Sequence, residues 1–171
     1  MDIHEAIEFL EKRISNPSVG LPEEVFLFIS RITPMVNVDL LIKDENERTL
    51  LSWRDDQYAG VGWHLPGGIV RFKEKIEKRV QKVAENEIGT VVKLDPVPIA
   101  INQIICNHDT RGHFISVLYK CFLSSKYVPK NIGLKPKDVG YLMWHDSCPA
   151  NLIKIHEIYR NYIKKLESCS I

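Results

Sequence analysis

Apolar residues in the first third of the chain recur first at helical and then at strand spacing. Ile3, Ala6, Ile7 and Leu10 fall on one side of a short helix over Asp2–Ile14, which Asn16-Pro17 and Gly20 break. Pro22 starts a second helix, Glu23–Ile32, and Thr33-Pro34 ends it. Met35–Ile42 and Thr49–Trp53 then read as strands around a turn at Asp44-Glu45-Asn46, followed by a polar loop over Asp55–Gly62. Gly67-Gly68 are expected to turn the chain directly into a charged helix whose apolar face is Ile76, Val80, Val83 or Ala84, and Ile88. Val91–Leu94 and Pro98–Ile105 read as separate strands. His113–Leu123 alternates between a Phe114, Ser116, Leu118 side and a Val117, Tyr119, Cys121 side, and Val139–Trp144 is again strand. A broad stripe from Leu152 through Ile155, Tyr159 and Ile163 to Leu166 predicts one final helix capped by Ser147 or Asn151. The order is helical extension, strands, helix, strands, helix, which predicts an α/β fold with a mixed sheet between helices.

Composition narrows the classes. With 171 residues, 44% of them hydrophobic, one domain can bury a sizeable core without staples. Lys and Arg total 23 against 22 Asp and Glu, so a net charge of +1 gives no case for a nucleic-acid partner. No stretch approaches the roughly 18 apolar residues of a membrane span, and the first 13 residues do not pattern as a signal peptide. Cys106, Cys121, Cys148 and Cys169 are scattered without a CxxC pair, which reads as reduced cysteines in a cytoplasmic protein.

Chemistry concentrates between Gly67 and Gly89. Backbone N–H groups at a glycine turn can hold a phosphate or a metal-bound water. The helix that follows carries Glu74, Glu77, Glu85 and Glu87 among Lys73, Lys75, Lys78, Arg79 and Lys82. Spaced three or four apart, Glu74 with Lys78, Glu77 with Lys73 and Glu85 with Lys82 would also make an ordinary solvated helix.

Gly68, Glu74, Lys82, Ala84, Glu87 and Gly89 reproduce the spacing of the Nudix box, with Leu65-Pro66-Gly67-Gly68 ahead of it. Lys82 stands where the usual box has Arg, and Val83 and Asn86 where it has glutamates. These departures resemble the GDP-mannose mannosyl hydrolase branch. The similarity runs from about Leu21 to Trp144 and includes Thr33–Asp39, Leu51-Ser52-Trp53-Arg54, Trp63–Gly68 and His113-Phe114.

The resemblance implies a Nudix αβα sandwich over residues 21–171, preceded by an N-terminal helical extension over 1–20. It implies a hydrolase of nucleoside-diphosphate sugars, GDP-mannose or GDP-glucose, in which water attacks the anomeric carbon and releases sugar and nucleoside diphosphate. Glu87 and the Gly67 carbonyl are the expected ligands of Mg²⁺, with Mn²⁺ able to substitute. Arg54 would grip the departing diphosphate. His108 would assist proton transfer, and Asp39, Arg71 and His113 would contact substrate. Arg71 is the nearest cation to Ile69, where the branch has an arginine. The late loop, Leu134–Tyr141, offers Asp138 in place of the branch's glutamate for water activation, with a purely structural turn as the other reading. Glu74 is expected to pair with Lys82. Trp63 and Tyr141 suit either core packing or stacking on a base. A homodimer is the expected assembly. Ordinary attack on phosphorus, and a binding domain without turnover, are the alternatives that Val83 and Asn86 leave open.

Overall fold

The computed structural model describes residues 2–164. Two helices, α1 (Ile3–Arg13) and α2 (Glu23–Ile32), precede a mixed seven-stranded sheet. Its strands are β1 (Met35–Lys43), β2 (Thr49–Asp56), β3 (Gly60–His64), β4 (Gly67–Ile69), β5 (Lys93–Ile105), β6 (His113–Phe122) and β7 (Leu142–His145). The main path runs β3-β2-β1-β6-β5, with β4 antiparallel to β1 and β7 antiparallel to β2. β1 pairs with β6 in parallel along its whole length, which makes the sheet mixed. Helix α3 (Ile76–Val83) lies between β4 and β5. A six-residue 3₁₀ helix (Lys154–Tyr159) and the short α4 (Arg160–Ile163) close the described chain.

Alternation along β1 builds one core on each face of the sheet. Val38, Leu40 and Ile42 pack with Val80, Val83, Ala84 and Ile88 of the α3 region. Leu41 faces the other way, into a cluster with Leu51, Trp53, Trp63, Leu65, Tyr159 and Ile163. This is the expected α/β sandwich. Trp63 is core, its ring 5.2 Å from Trp53 and 6.4 Å from Tyr141.

Several expected boundaries shift. Gly67-Gly68 do not lead straight into a helix; they form β4, and α3 starts only at Ile76. The loop expected over Asp55–Gly62 shrinks to a turn, because β2 extends to Asp56 and β3 begins at Gly60. The two strands expected between Val91 and Ile105 are one, β5, with register shifts between Leu94 and Ala100 that absorb Asp95-Pro96. β7 begins at Leu142 rather than Val139. The final helix is a 3₁₀ turn and one α turn, with no side-chain cap from Ser147 or Asn151. Leu166 and Cys169 lie outside the described residues. Cys106, Cys121 and Cys148 are free, and no helix among the described residues is long and apolar enough to cross a membrane.

Candidate active site

The site forms where β4 and the end of α3 meet β1. A Cβ on Gly67 would collide with the Asp39 carboxylate and the Val38 carbonyl, and one on Gly68 would lie 2.8 Å from the Val83 side chain. The glycines therefore serve close approach of backbone to sheet and helix. Pro66 accepts from the Leu40 N–H and Val70 donates to the Val36 carbonyl, both at 2.9 Å. Strand alternation then turns the Gly67 polar groups away from β1. Its N–H donates to Glu87 Oε1 at 3.3 Å. Glu87 sits in a π turn, Ala84–Ile88, that widens the end of α3 and stops at Gly89 (φ 73°). Its other oxygen, Oε2, is 3.6 Å from His64 Nε2.

Behind this lies a buried polar network. Asp39 accepts from Ser116 Oγ, from Tyr159 Oη at 2.7 Å and from Asn37 Nδ2 at 2.9 Å. Burial pushes its carboxyl above the ordinary range, against the pull of those donors. His156 Nδ1 accepts from the Leu65 N–H at 3.1 Å, and its Nε2 is 3.8 Å from Asp39. Burial, with the Arg54 guanidinium adding to it, pulls His156 well below the ordinary imidazole range.

A third group is cationic. Arg54 Nε lies 3.0 Å from Asp56 Oδ2, while Asp56 Oδ1 accepts from the Tyr58 and Ala59 N–H groups at 2.8 and 2.7 Å. Burial opposes ionisation of Asp56, but those donors and Arg54 outweigh it and hold its carboxyl low. Arg111 sits with its guanidinium 4.6 Å from the Tyr58 ring. Burial, and then Arg54, depress the Arg111 pKa, so two guanidinium groups share one wall.

These groups line two hollows that share part of their walls. A cavity of about 580 Å³ includes Asn37, Asp39, Gly67, Arg71, Phe72 and Arg111 in its walls, and a cleft of about 370 Å³ holds Asn86 and Glu87. Arg54, Asp56 and His64 line both.

No family model matches the chain. It is 32% identical over 111 residues to the low-salt glycan biosynthesis protein Agl8 of Haloferax volcanii, covering 63% of this chain and 70% of Agl8. An ADP-ribose pyrophosphatase of Methanocaldococcus jannaschii is 29% identical over 86 residues, covering 50% of this chain and 49% of its own length. Among solved structures, a MutT Nudix hydrolase from Burkholderia pseudomallei superposes with a TM-score of 0.58 at 22% identity, over 77% of this chain and all but 1% of that one (99% covered). An ADP-ribose pyrophosphatase from Streptococcus suis gives 0.52 at 19%, over 77% and 87%. The chain has the fold of the Nudix hydrolases.

Within the segment that resembles the Nudix box the carboxylates differ. Glu74 is 3% exposed, bonded to Arg79 Nε at 2.7 Å and to the Arg71 N–H at 3.1 Å, with Lys82 Nζ at 3.5 Å. The expected Lys82 pairing is present, and Arg79 adds to it. Val83 is core. Among the described residues no three His, Cys, Asp or Glu side chains converge as a metal cluster. A divalent ion nevertheless fits at Glu87, whose carboxylate faces a polar cleft beside His64 and Asn86. One or two protein ligands, completed by substrate phosphates and water, suffice for such ions.

Of the residues named from sequence, the cavity and cleft bring together Asp39, Arg54, Gly67, Arg71 and Glu87. His108 is exposed and outside both linings; its Nδ1 accepts from the Thr110 N–H, and its ring lies 5.3 Å from Tyr58. His113 Nε2 is 3.0 Å from Gln103 Nε2, again outside the linings. Asp138 accepts from the Lys135 N–H at 2.7 Å and closes a turn beside the cleft residues Val139 and Gly140. Sequence reasoning did not single out His64, Asp56, Arg111 or His156. His64 was visible next to the glycines, whereas Arg111 and His156 reach the site only through tertiary folding.

Proposed function

We propose that the protein hydrolyses nucleoside-diphosphate sugars, GDP-mannose or GDP-glucose, by water attack on the anomeric carbon, releasing sugar and nucleoside diphosphate. The observation that carries this reading is the shared wall. Arg54 and His64 join a cavity sized for a nucleotide-sized ligand to the cleft that holds Glu87. A bound Mg²⁺, or Mn²⁺ in its place, would neutralise the diphosphate and improve it as a leaving group. Glu87 would hold that ion, with the Gly67 carbonyl beside it. Arg54 and Arg111 offer two forks to the diphosphate, supplying the second cation that Ile69 does not. Arg71 extends toward the same cavity, where it donates to the Val19 carbonyl. Asp39, ringed by Asn37, Ser116 and Tyr159, would in this reading exchange one of those donors for a sugar or ribose hydroxyl. His108, His113 and Asp138 enter this reading only through movement of their loops toward bound substrate. Agl8's name places that relative in glycan biosynthesis, which is in keeping with a sugar-bearing substrate.

The same reading takes residues 1–20 as an extension and 21–171 as the Nudix unit, in a cytoplasmic homodimer that solution mass would check. Pro17 and Gly20 line the cavity, so the extension contributes a wall. Attack on phosphorus is the second reading, favoured by the relative named as an ADP-ribose pyrophosphatase. A panel of nucleotide sugars with Mg²⁺ or Mn²⁺ tests the proposal. Sugar plus nucleoside diphosphate is expected, and Arg54→Ala should raise KM about tenfold. Nucleoside monophosphate would select the second reading. Tight binding without turnover would leave a binding domain, and inertness toward the whole panel would sink all three.

A further inference from the structure

His64 is buried, 7% exposed, at the junction of cavity and cleft. Its Nδ1 lies 2.8 Å from the Ser52 carbonyl oxygen. A carbonyl only accepts, so Nδ1 carries a proton, and in the singly protonated ring Nε2 keeps its lone pair. That nitrogen is 3.6 Å from Glu87 Oε2, which takes no hydrogen bond among the described residues; Glu87 Oε1 takes the Gly67 N–H. Two acceptors held this close repel each other unless a proton or a metal ion lies between them. Donors each about 2.1 Å from one first-row metal ion stand about 3.0–4.2 Å apart as their angle opens from right to straight. The observed separation falls inside that range. The Ser52 bond fixes the ring as the hydrogen bond behind a metal-binding histidine does.

We propose that His64 Nε2 and the Glu87 carboxylate are joint ligands of one divalent ion, and that the site prefers Mn²⁺ to Mg²⁺. The imidazole takes the place of carboxylates missing at Val83 and Asn86. Nitrogen ligands favour first-row transition ions over Mg²⁺, which is served by oxygen. The inference rests on the metal dependence proposed above and replaces an all-oxygen ligand set with a mixed one.

The test is Mn²⁺ binding to the full chain without nucleotide, followed by electron spin resonance and by pulsed detection of coupled ¹⁴N. His64→Asn retains an amide donor for Ser52 and removes Nε2. The wild type is expected to show imidazole nitrogen coupling and to bind Mn²⁺ about tenfold or more tightly than Mg²⁺. His64→Asn should lose the coupling and at least about tenfold in Mn²⁺ affinity, the loss seen even when a group behind a ligand is removed. Glu87→Gln should weaken both ions. Absence of Mn²⁺ binding, bound Mn²⁺ without nitrogen coupling, or unchanged Mn²⁺ affinity in His64→Asn would overturn the proposal. If that variant does not fold, the wild-type nitrogen coupling decides alone. Mg²⁺-supported turnover that survives His64→Asn would remove this inference and leave the proposed hydrolysis standing. Nitrogen-coupled Mn²⁺ in a chain that hydrolyses no nucleotide sugar would do the reverse.

Discussion

The two ends of the segment around α3 carry glutamates of the same box and opposite circumstances. Glu74, before the helix, is half-buried with its side chain 3% exposed and the Arg79 guanidinium, the Lys82 ammonium and the Arg71 N–H around it. Glu87, in the π turn at the far end, is 30% exposed and has one long backbone hydrogen bond and a histidine nitrogen. Glu74 already has the cations a carboxylate seeks, so it fixes the loop between β4 and α3. Glu87 has none fully in place and opens onto a cleft. Surroundings, rather than residue type or box position, separate a structural carboxylate from one free to take a ligand.

The largest effect should come from breaking the satisfied end. Glu74→Gln leaves Arg79, 8% exposed, without its counter-charge and should cost about 3 kcal/mol of stability, read by urea denaturation. A loss below 1 kcal/mol would erase the contrast. Glu87→Gln should keep the wild-type melting temperature while hydrolysis falls about a hundredfold. A large drop in melting temperature would make Glu87 a structural residue like Glu74.

Acid sharpens the comparison further. Burial opposes the charge on Glu74, but the Arg71 N–H, Arg79 and Lys82 outweigh it and hold the carboxyl below its ordinary range. Its folded pKa is depressed, so its contribution is present above the unfolded value, about 4.3, and is lost as pH falls through the folded one. Stability measured from pH 6 to pH 3 should fall less steeply in Glu74→Gln than in the wild type, with Asp56 supplying part of the remaining slope. The smallest effect is expected from Lys82→Ala. At 37% exposure its pairing is worth about 0.5 kcal/mol, well below that of Arg79.

Much of this was legible in the chain. Apolar spacing located α2 and the starts of β1, β2 and β6, because each buries a face whose period survives in sequence. The pairing of Glu74 with Lys82 and the closeness of Gly67 to Glu87 followed from the Nudix resemblance. β4 was not legible: glycines carry no apolar pattern, and its pairing with Asn37–Asp39 is set by steric fit. Arg79 read as one cation among many, since counting helical neighbours from Glu74 fails when the helix begins only at Ile76. Asp39, His156 and Tyr159 form one network across more than a hundred residues of chain, which no local period records.

The central claim is the bond that breaks, and hydrolysis of a nucleotide sugar in ¹⁸O-water reads it directly. Attack on the anomeric carbon places the label in the released sugar and leaves an unlabelled nucleoside diphosphate. Label found in a nucleotide or sugar phosphate would mean attack on phosphorus and would contradict the account.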